Sequence, residues 1–531
     1  MKILPRLEPV LDDLKKRFGG QVEEIRVAQD NEIYLHTKMD AVSGLCAYFY
    51  RKWNGRLASL FADDALAEAK AFFIYYVFAL DDIGGFFIVR IPIAGENPQL
   101  ASLTNALPAL NWQEREVQDW YGIQLTGHPN PRRCALHDDW PAIHPLRKDF
   151  ALHTQIPPLS GPRHLFRKVE GEGVFQVPVG PVHAGIIEPG HFLFSVAGEP
   201  ILYLQLRLFY THKGTEKIFE NIPIEHGVRL AESISGDSGF AHATAFCHAI
   251  ERAAGAEVPP RARFLRTICL ELERLYNHIA DIGAIATDVA FVVANAHAMR
   301  LKELVLRCNE QLTGNRLLRG MACLGGVRFD FEADQIATLQ EFLAQLAPQF
   351  ERLIELIQAS ASTRDRLEGT GIVTPETARD LGLVGIGGRA SGFNHDLRRD
   401  FPHCAYNRLK VNVPVYSAGD VLHRMQIRID ETRESLRLLG ALLEDLPGGD
   451  ARQEIEAIPA NQTALGYVEG WRGEIFHWIR TAPGHRLARC KIKDPSLQNW
   501  PAMTEAVQGN IIPDFPVINK SFNLSYSGTD R

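Results

Sequence analysis

Up to about residue 125, the chain alternates between apolar stripes typical of helices and short runs typical of strands. Within residues 7–14, leucine and valine recur three to four positions apart, as on one face of a helix. Residues 72–80 and 86–93 are rich in aromatic and β-branched side chains and flank a glycine-containing turn, which predicts a β-hairpin. The pattern predicts a small α+β domain.

The remainder of the chain is predicted to be mainly helical. Strand-like runs come first, at residues 175–183, 190–199 and 201–209. Beyond residue 225, apolar positions recur at helical spacing over long stretches, the longest being 265–282, 336–357 and 421–443. We therefore predict an α+β fold, in which a small N-terminal α+β domain precedes a large, mainly helical domain with a small β-sheet cap.

A segment with two adjacent prolines, residues 149–161, reads as a connection between these parts. The predicted domains are therefore residues 1–148 and 162–531, joined by this linker. A chain of 531 residues is long enough for more than one domain, which agrees with the division.

The composition argues against nucleic-acid binding, membrane insertion and export. The 46% hydrophobic content is typical of a globular protein with a large core, and a net charge of -7 without a basic patch argues against nucleic-acid binding. The most apolar run, residues 71–80, has about half the length of a membrane span and is predicted to be a strand. Since the N-terminus also lacks a signal-peptide core, we expect no export and membrane association only through partner subunits.

The eight cysteines never occur in Cys-x-x-Cys spacing, which argues against a zinc or iron–sulfur site in this chain. Free thiols in a reducing cytosol are the simpler interpretation.

Two pairs of small residues, each three positions apart, stand at distant points of the chain. Ser235 and Ser238 precede Gly-Phe-Ala-His, and Ser525 and Gly528 precede Thr-Asp-Arg at residues 529–531. This layout resembles the nickel–iron hydrogenase large subunit, in which two Cys-x-x-Cys pairs occupy these places. The resemblance implies that all four metal-binding thiols are replaced here.

Further motifs extend the resemblance to the 49 kDa-type subunit of respiratory complex I, which belongs to the same family. They are Gly-Pro-Val-His at 180–183, Lys-Gly-Thr-Glu-Lys at 213–217, Glu-Leu-Glu-Arg-Leu-Tyr-Asn-His at 271–278, Gly-Arg-Ala-Ser-Gly-Phe-Asn-His at 388–395 and Glu-Gly-Trp-Arg-Gly at 469–473. In the last motif Trp471 stands where hydrogenases have proline.

Residues 111–123 contain the charged string Glu114-Arg-Glu-x-x-Asp119. By composition alone this would be the solvated face of a helix. The string also resembles the signature of the 30 kDa-type subunit of complex I, found at the N-terminus of formate hydrogenlyase large subunits. That resemblance implies a docking interface without catalytic chemistry.

The replaced thiols predict that no nickel–iron site remains, because serine hydroxyls are hard, weak ligands and glycine offers none. Hydrogenases of this kind are cut after the terminal motif once nickel is inserted. The sequence stops at that point, and we expect that this chain needs no such processing. We expect no cofactor bound by the chain itself other than a possible quinone.

In complex I the corresponding cavity binds quinone through a histidine of the Gly-Pro-x-His loop and a tyrosine. His183 matches the histidine by position, but no tyrosine occurs between residues 211 and 275. Glu232, Asp237 and His242 are candidate proton-relay groups, and Arg472 is a candidate cavity residue.

Alternatives remain open for three of these residues. His183 could be a satisfied loop histidine, Asp237 could cap a helix, and Arg472 could pair with a buried acid. The Gly-Ile-Gly-Gly string at 385–388 lacks the strand, helix and downstream acid of a dinucleotide site, so NAD binding is not expected.

The resemblance implies a large peripheral-arm subunit of a membrane-bound, energy-converting oxidoreductase complex, located on the cytoplasmic face of the membrane. Two hypotheses follow. In the first, the vacated cavity binds a quinone or another small carrier and couples electron transfer to ion translocation. In the second, the chain is a non-catalytic scaffold and relay between a membrane arm and a small iron–sulfur subunit similar to that of complex I. That partner would carry the 4Fe-4S cluster.

Overall fold

The computed structural model of the chain describes residues 3–157, 166–184, 187–455 and 457–531. Part of the predicted linker, residues 158–161, therefore lies outside the described residues. The N-terminal region contains α1 (Glu8–Phe18), β1 (Val22–Gln29), β2 (Glu32–Thr37), α2 (Met39–Ala47), β3 (Arg56–Ala65), α3 (Leu66–Ala69), β4 (Ala71–Leu80), β5 (Gly85–Ala94), β6 (Gln99–Ala101), α4 (Asn111–Tyr121) and β7 (Gln124–Thr126).

The N-terminal region is built on a five-stranded sheet with the order β1–β2–β5–β4–β3. Strands β4 and β5 pair antiparallel, which confirms the predicted hairpin. Side chains alternate between the two faces of a strand. On β4, Ile74 and Phe78 face the core of their own region, whereas Tyr75 and Val77 face an aromatic cluster shared with the rest of the chain. This burial on both faces explains why residues 71–80 are almost continuously apolar.

The large region contains two three-stranded sheets and most of the helices. Its elements are β8 (Val174–Val179), β9 (His191–Ala197), β10 (Ile201–Arg207), α5 (Thr215–Phe219), α6 (Ile224–Ala231), α7 (Gly239–Ala254), α8 (Pro260–Asp288), α9 (Val292–Thr313), β11 (Ala322–Cys323), β12 (Gly326–Val327), α10 (Ala333–Gln358), α11 (Ala361–Leu367), α12 (Pro375–Leu381), α13 (Gly385–Ala390), α14 (Leu397–Asp400), α15 (Val421–Glu444), β13 (Thr463–Gly470), β14 (Gly473–Ala482), β15 (Arg486–Lys493), α16 (Pro495–Ala506), α17 (Phe515–Phe522) and α18 (Tyr526–Thr529). The predicted fold class is confirmed.

Two details differ from the predicted strands. The first strand of the large region ends at Val179, not at residue 183, because Gly180 has a φ of 80° and Pro181 has no N–H to continue the ladder. The strand predicted for 201–209 ends at Arg207, and Phe209 has a φ of 62°. Residues 180–183 are therefore a loop, which carries His183.

The two regions share a packed seam. Trp478 of β14 lies 4.9 Å, between ring centroids, from both Phe61 of β3 and Tyr75 of β4. Arg56 of the N-terminal region pairs with Glu474 of β14 across the same seam. Among the helices of the described residues, none combines the length and hydropathy that crossing a membrane would require.

Candidate functional site

The fold brings the two distant pairs of small residues into direct contact. The loop before α7 carries Ser235 and the N-cap of α18 is Ser525, and their Oγ atoms lie 2.9 Å apart. Ser525 Oγ also accepts a hydrogen bond of 2.9 Å from the Gly528 amide. The two pairs of small residues are therefore neighbours in space. We call Ser235, Asp237, Ser238, Arg472, Ser525 and Gly528 the serine cluster.

A salt bridge occupies the other side of the serine cluster. Arg472 Nη1 donates to Asp237 Oδ1 at 2.6 Å and lies 3.3 Å from Ser238 Oγ. The Arg472 side chain is 4% exposed and that of Asp237 is 40% exposed, so the pair is open to solvent on the Asp237 side. Burial alone would raise the pKa of Asp237, but the charge and hydrogen bonds of Arg472 hold the pKa below its ordinary value.

Arg472 therefore pairs with an acid, as one alternative predicted. That acid is Asp237, which is partly exposed and not buried. The alternative that Asp237 caps a helix is wrong. The N-cap of α7 is Ser238, without a side-chain cap. Instead, the carboxylate of Glu273 on α8 accepts from the amides of Phe240 and Ala241 at 2.8 and 3.1 Å.

Glu273 is a functional candidate that the sequence reasoning missed, although it lies within the motif at 271–278. It is 1% exposed. Burial, with a smaller contribution from the charge of Asp237, raises its pKa to about 8. A carboxyl group with this pKa can hold and release a proton near neutral pH.

His242 lies behind the serine cluster and is fully buried. Its Nε2 atom is 3.0 Å from Asp494 Oδ2, and its Nδ1 atom is 3.1 Å from Nε2 of His477. Burial alone would raise the pKa of Asp494, but the hydrogen bond and charge of His242 outweigh it and lower that pKa to about 2. A Cβ atom placed on Gly528 would be 2.6 Å from Asp494 Cγ, so this network directly borders the serine cluster.

His183 and Glu232 have their hydrogen-bond partners elsewhere. His183 Nε2 is 2.7 Å from the carbonyl oxygen of Gly190, at the base of its own loop, which matches the alternative of a satisfied loop histidine. Glu232 Oε1 accepts from the Gly320 amide at 2.6 Å, and burial raises its pKa. Of the five candidate residues, the structure therefore joins Asp237, His242 and Arg472 to the serine cluster.

The residues of the serine cluster do not fit a nickel–iron centre. Three of the four positions present hydroxyl groups already hydrogen-bonded to one another or to neighbouring charged groups. The fourth, Gly528, has no room for a side chain because Asp494 fills the space. Soft thiolate donors are replaced by hard hydroxyls. Within the described ranges, no group of three or more His, Cys, Asp or Glu side chains is arranged to hold a metal ion.

The charged string on α4 is buried, so the interpretation as a solvated face is wrong. Glu114, Glu116 and Asp119 are at most 3% exposed. Asp119 Oδ2 accepts from three consecutive amides at 134–136 and so fixes the segment after α4. Glu116 pairs with the terminal Arg531 at 2.9 Å. The docking that the signature implied takes place here within one chain.

Glu116 belongs to a group of five buried charges that we call the docking cluster. Glu216 of α5 lies 2.6 Å from Arg489, 3.5 Å from Lys491 and 3.1 Å from Arg531. Lys491 also pairs with Glu116 at 3.3 Å. The docking cluster thus comprises Glu116, Glu216, Arg489, Lys491 and Arg531, and it joins the N-terminal region to the large region and to the C-terminal segment.

Comparison with known proteins agrees with this arrangement. The model of the family "Respiratory-chain NADH dehydrogenase, 49 Kd subunit" matches residues 281–464 and 453–531, and that of the 30 Kd subunit matches residues 35–155. The chain therefore belongs to the family in which these two respiratory-chain subunits are fused, as predicted. The domain boundaries at residues 148 and 162 stay predictions.

Full-length relatives refine this class. The chain is 32% identical to formate hydrogenlyase subunit 5 of Escherichia coli (strain K12), over 98% of this chain and 92% of that protein. It is 29% identical to the C/D subunit of NADH-quinone oxidoreductase from Phocaeicola vulgatus, over 82% of this chain and 88% of that protein. In fold, it resembles a chain from the structure of the membrane-bound sulfane sulfur reductase, an archaeal respiratory membrane complex. The TM-score is 0.64 at 24% identity, covering 68% of this chain and 99% of that chain.

Proposed function

We propose that the chain is a peripheral-arm subunit of a membrane-bound, energy-converting oxidoreductase complex in which the former nickel–iron position serves as a scaffold and proton relay. The observation that carries the proposal is the direct contact between Ser235 and Ser525, 2.9 Å apart, where family members with cysteines would hold metal. The hydroxyl contacts and the close approach of Asp494 to Gly528 at these positions favour the scaffold over a chamber for a small carrier.

Both relatives named above support membership in such a complex, since one is named as a formate hydrogenlyase subunit and the other as a subunit of an NADH-quinone oxidoreductase. Membrane association through partner subunits is consistent with the finding that none of the described helices could cross a membrane. The cytoplasmic face of the membrane remains part of the proposal.

We further propose an iron–sulfur partner similar to the small iron–sulfur subunit of complex I, with membrane-arm subunits beyond it. Electrons that reach this chain would come from the 4Fe-4S cluster of that partner. Exposed apolar side chains near the loop of His183 offer a surface for it, because Val182 is 86% exposed and Ile187 is 48% exposed. Obligate interfaces bury such apolar surface.

The relay part of the proposal rests on Glu273, which can hold a proton, and on the partly exposed carboxylate of Asp237 near it. Glu273, with its pKa raised to about 8, lies behind the half-exposed Asp237. Asn277 Nδ2 donates to the carbonyl oxygens of both Asp237 and Glu273, at 2.7 and 3.0 Å, and so joins the two segments. After burial, the negative charge of Asp237 also raises the pKa of Glu273, so a proton on Glu273 is sensitive to that charge.

The first test is purification of the intact complex, followed by elemental analysis and measurement of hydrogen-dependent dye reduction. We expect less than about 0.1 nickel per chain and no dye reduction, because thiolate ligands are needed for the metal pair. We also expect a small iron–sulfur subunit to co-elute. One nickel per chain would overturn the scaffold proposal, and separate elution of a well-behaved monomer would overturn the partner.

A second candidate function is reduction of a quinone or another small carrier. Its supporting observation is the 40% exposure of the Asp237 side chain beside Arg472, which places a charged pair at an opening. Asp237→Asn separates the two candidates in the purified complex. A small-carrier site predicts that reduction of a short-chain quinone falls at least tenfold while subunit composition is unchanged. The scaffold and relay predicts that uncoupled quinone reduction is unchanged and that only the coupled proton translocation falls.

A further inference from the structure

A cavity of about 290 Å³ lies between the two regions, and none of its lining residues belongs to the serine cluster. One wall is the start of α4, with Asn111, Trp112 and Arg115. The opposite wall is the edge strand β10, on which Tyr203, Gln205 and Arg207 alternate onto one face. This volume is at the lower end of the range for small-molecule sites, so any ligand must be compact.

The charge of the lining has one sign. Arg115, Arg132 and Arg207 line the cavity, whereas no Asp or Glu does so within the described part of the chain. Arg207 is paired outside the lining with Asp138, at 2.8 Å. Low-dielectric walls that carry a single sign of charge concentrate ions of the opposite sign.

Arg115 is the most buried of the three arginines. It is 9% exposed, and its Nε and Nη2 atoms donate to the carbonyl oxygens of Arg132 and Arg133, at 2.7 and 2.9 Å. Asp119, one turn further along α4, senses this charge, but its carboxylate is engaged by three amides. Among the described residues, no carboxylate forms an ion pair with the guanidinium. A buried charge of this kind is costly unless it is neutralised.

The cavity also offers apolar surface next to the cations. Trp112 and Phe209 lie 6.2 Å apart between ring centroids, and both line the cavity. Because Arg115 already uses its Nε and Nη2 donors within the chain, it offers a ligand its Nη1 donors and its positive charge. Arginine is well suited to binding phosphate oxygens.

We propose that this cavity binds a compact, multiply charged anion of the phosphate class. The arginine that the docking signature contributes, Arg115, then has a ligand-binding role in addition to holding the segment after α4. The proposal is independent of the function proposed for the serine cluster.

Isothermal titration of the full-length chain with inorganic pyrophosphate tests the proposal, with sodium chloride matched for ionic strength as the blank. We expect saturable binding with one site per chain. Arg132→Gln, at an exposed position, should weaken binding by about tenfold or more, and its melting curve separates this effect from loss of the hydrogen bond to Asn130. Arg115→Gln should also weaken it, and its melting curve reports any loss of docking separately.

The matched control is Arg300→Gln, an exposed arginine on α9 far along the chain from the lining residues. We expect its affinity to equal that of the unaltered chain. Absence of saturable binding, or equal weakening by Arg300→Gln, would overturn the proposal. Loss of pyrophosphate binding in the assembled complex would assign the cavity to a segment of a partner protein and would equally overturn it.

Discussion

The docking cluster and the serine cluster are two polar sites with opposite construction. In the docking cluster every member is charged and each carboxylate touches at least two cations, all less than 5% exposed. In the serine cluster the hydroxyl groups of Ser235 and Ser525 are hydrogen-bonded to each other, and the Asp237–Arg472 ion pair is exposed to solvent on the Asp237 side. The first arrangement resists rearrangement because each charge depends on several others. The second leaves an acidic group accessible, as a relay requires.

The largest expected effect is on the docking cluster. Glu216→Ala leaves Arg489 and Arg531 buried without their shared carboxylate, and we expect a loss of about 3–5 kcal/mol in the free energy of unfolding. Urea denaturation followed by circular dichroism measures it. Glu225→Ala, at an exposed position on α6, is the control and should change stability by less than about 0.5 kcal/mol. Equal effects of the two substitutions would contradict the interdependence of the docking cluster.

A second expected effect concerns pH and distinguishes two buried glutamates. The pKa of Glu273 in the folded chain is about 8, above the ordinary 4.5. Its contribution is therefore fully present below about pH 4.5 and is lost as pH rises towards 8. Between these values we expect the free energy of unfolding to fall by about 1.4 kcal/mol per pH unit from this group. Glu273→Gln should remove that slope, as measured by denaturation at several pH values.

The counterpart is Glu216. Burial alone would raise its pKa, but the charges of Lys491, Arg489 and Arg531 lower it to about 2. Its contribution is present above about pH 4.5 and is lost as pH falls towards 2, the opposite direction. A variant Glu273→Gln that kept the full slope between pH 4.5 and 8 would contradict the relay role of Glu273.

A third effect concerns restoration of the thiols. Gly528→Cys places a side chain against the Asp494 carboxylate, and we expect a loss of about 1–3 kcal/mol from overpacking. Cysteine at Ser235, Ser238, Ser525 and Gly528 together should still give no hydrogen uptake, even in a host with hydrogenase maturation. Ser525→Cys alone, at a position that already carries a side chain, is the control for stability. Detectable hydrogen uptake by the quadruple variant would contradict the conclusion that the surroundings of these four positions no longer fit a nickel–iron centre.

The smallest effect is at the hydroxyl contact itself. Ser235→Ala removes one buried hydrogen-bonding group, and we expect a loss of about 1 kcal/mol. Ser233→Ala, at an exposed position two residues earlier, should be close to neutral. Thermal denaturation of both variants measures the difference. A loss above about 3 kcal/mol would mean that the serine cluster is as interdependent as the docking cluster.

Much of the fold could be predicted because its pattern is local. The hairpin at residues 71–94 and the long helices α8 and α15 follow from spacing of apolar residues alone. The resemblance also matched the two small-residue pairs to the metal-binding positions of the hydrogenase. These features depend on neighbours in sequence or on motifs of fixed order.

The partners of the charged residues could not be predicted, because they are far apart in sequence. The capping of α7 by Glu273, the contact of His242 with Asp494, and the pairing of Glu116 with Arg531 all join distant segments. The charges at 114–119 read as exposed by composition. Their burial became visible only once cations from β15 and the C-terminus were placed beside them.

Arg531 links ordering of the C-terminal segment to attachment of the N-terminal region. Its guanidinium contacts Glu116 of the N-terminal region and Glu216 of the large region, while its segment begins with Ser525 at the serine cluster. Coupling between two binding events is reciprocal. If ordering of the C-terminal segment strengthens attachment of the N-terminal region, that attachment favours ordering of the segment by the same factor. We therefore expect a change at the former metal position to alter how firmly the N-terminal region is held.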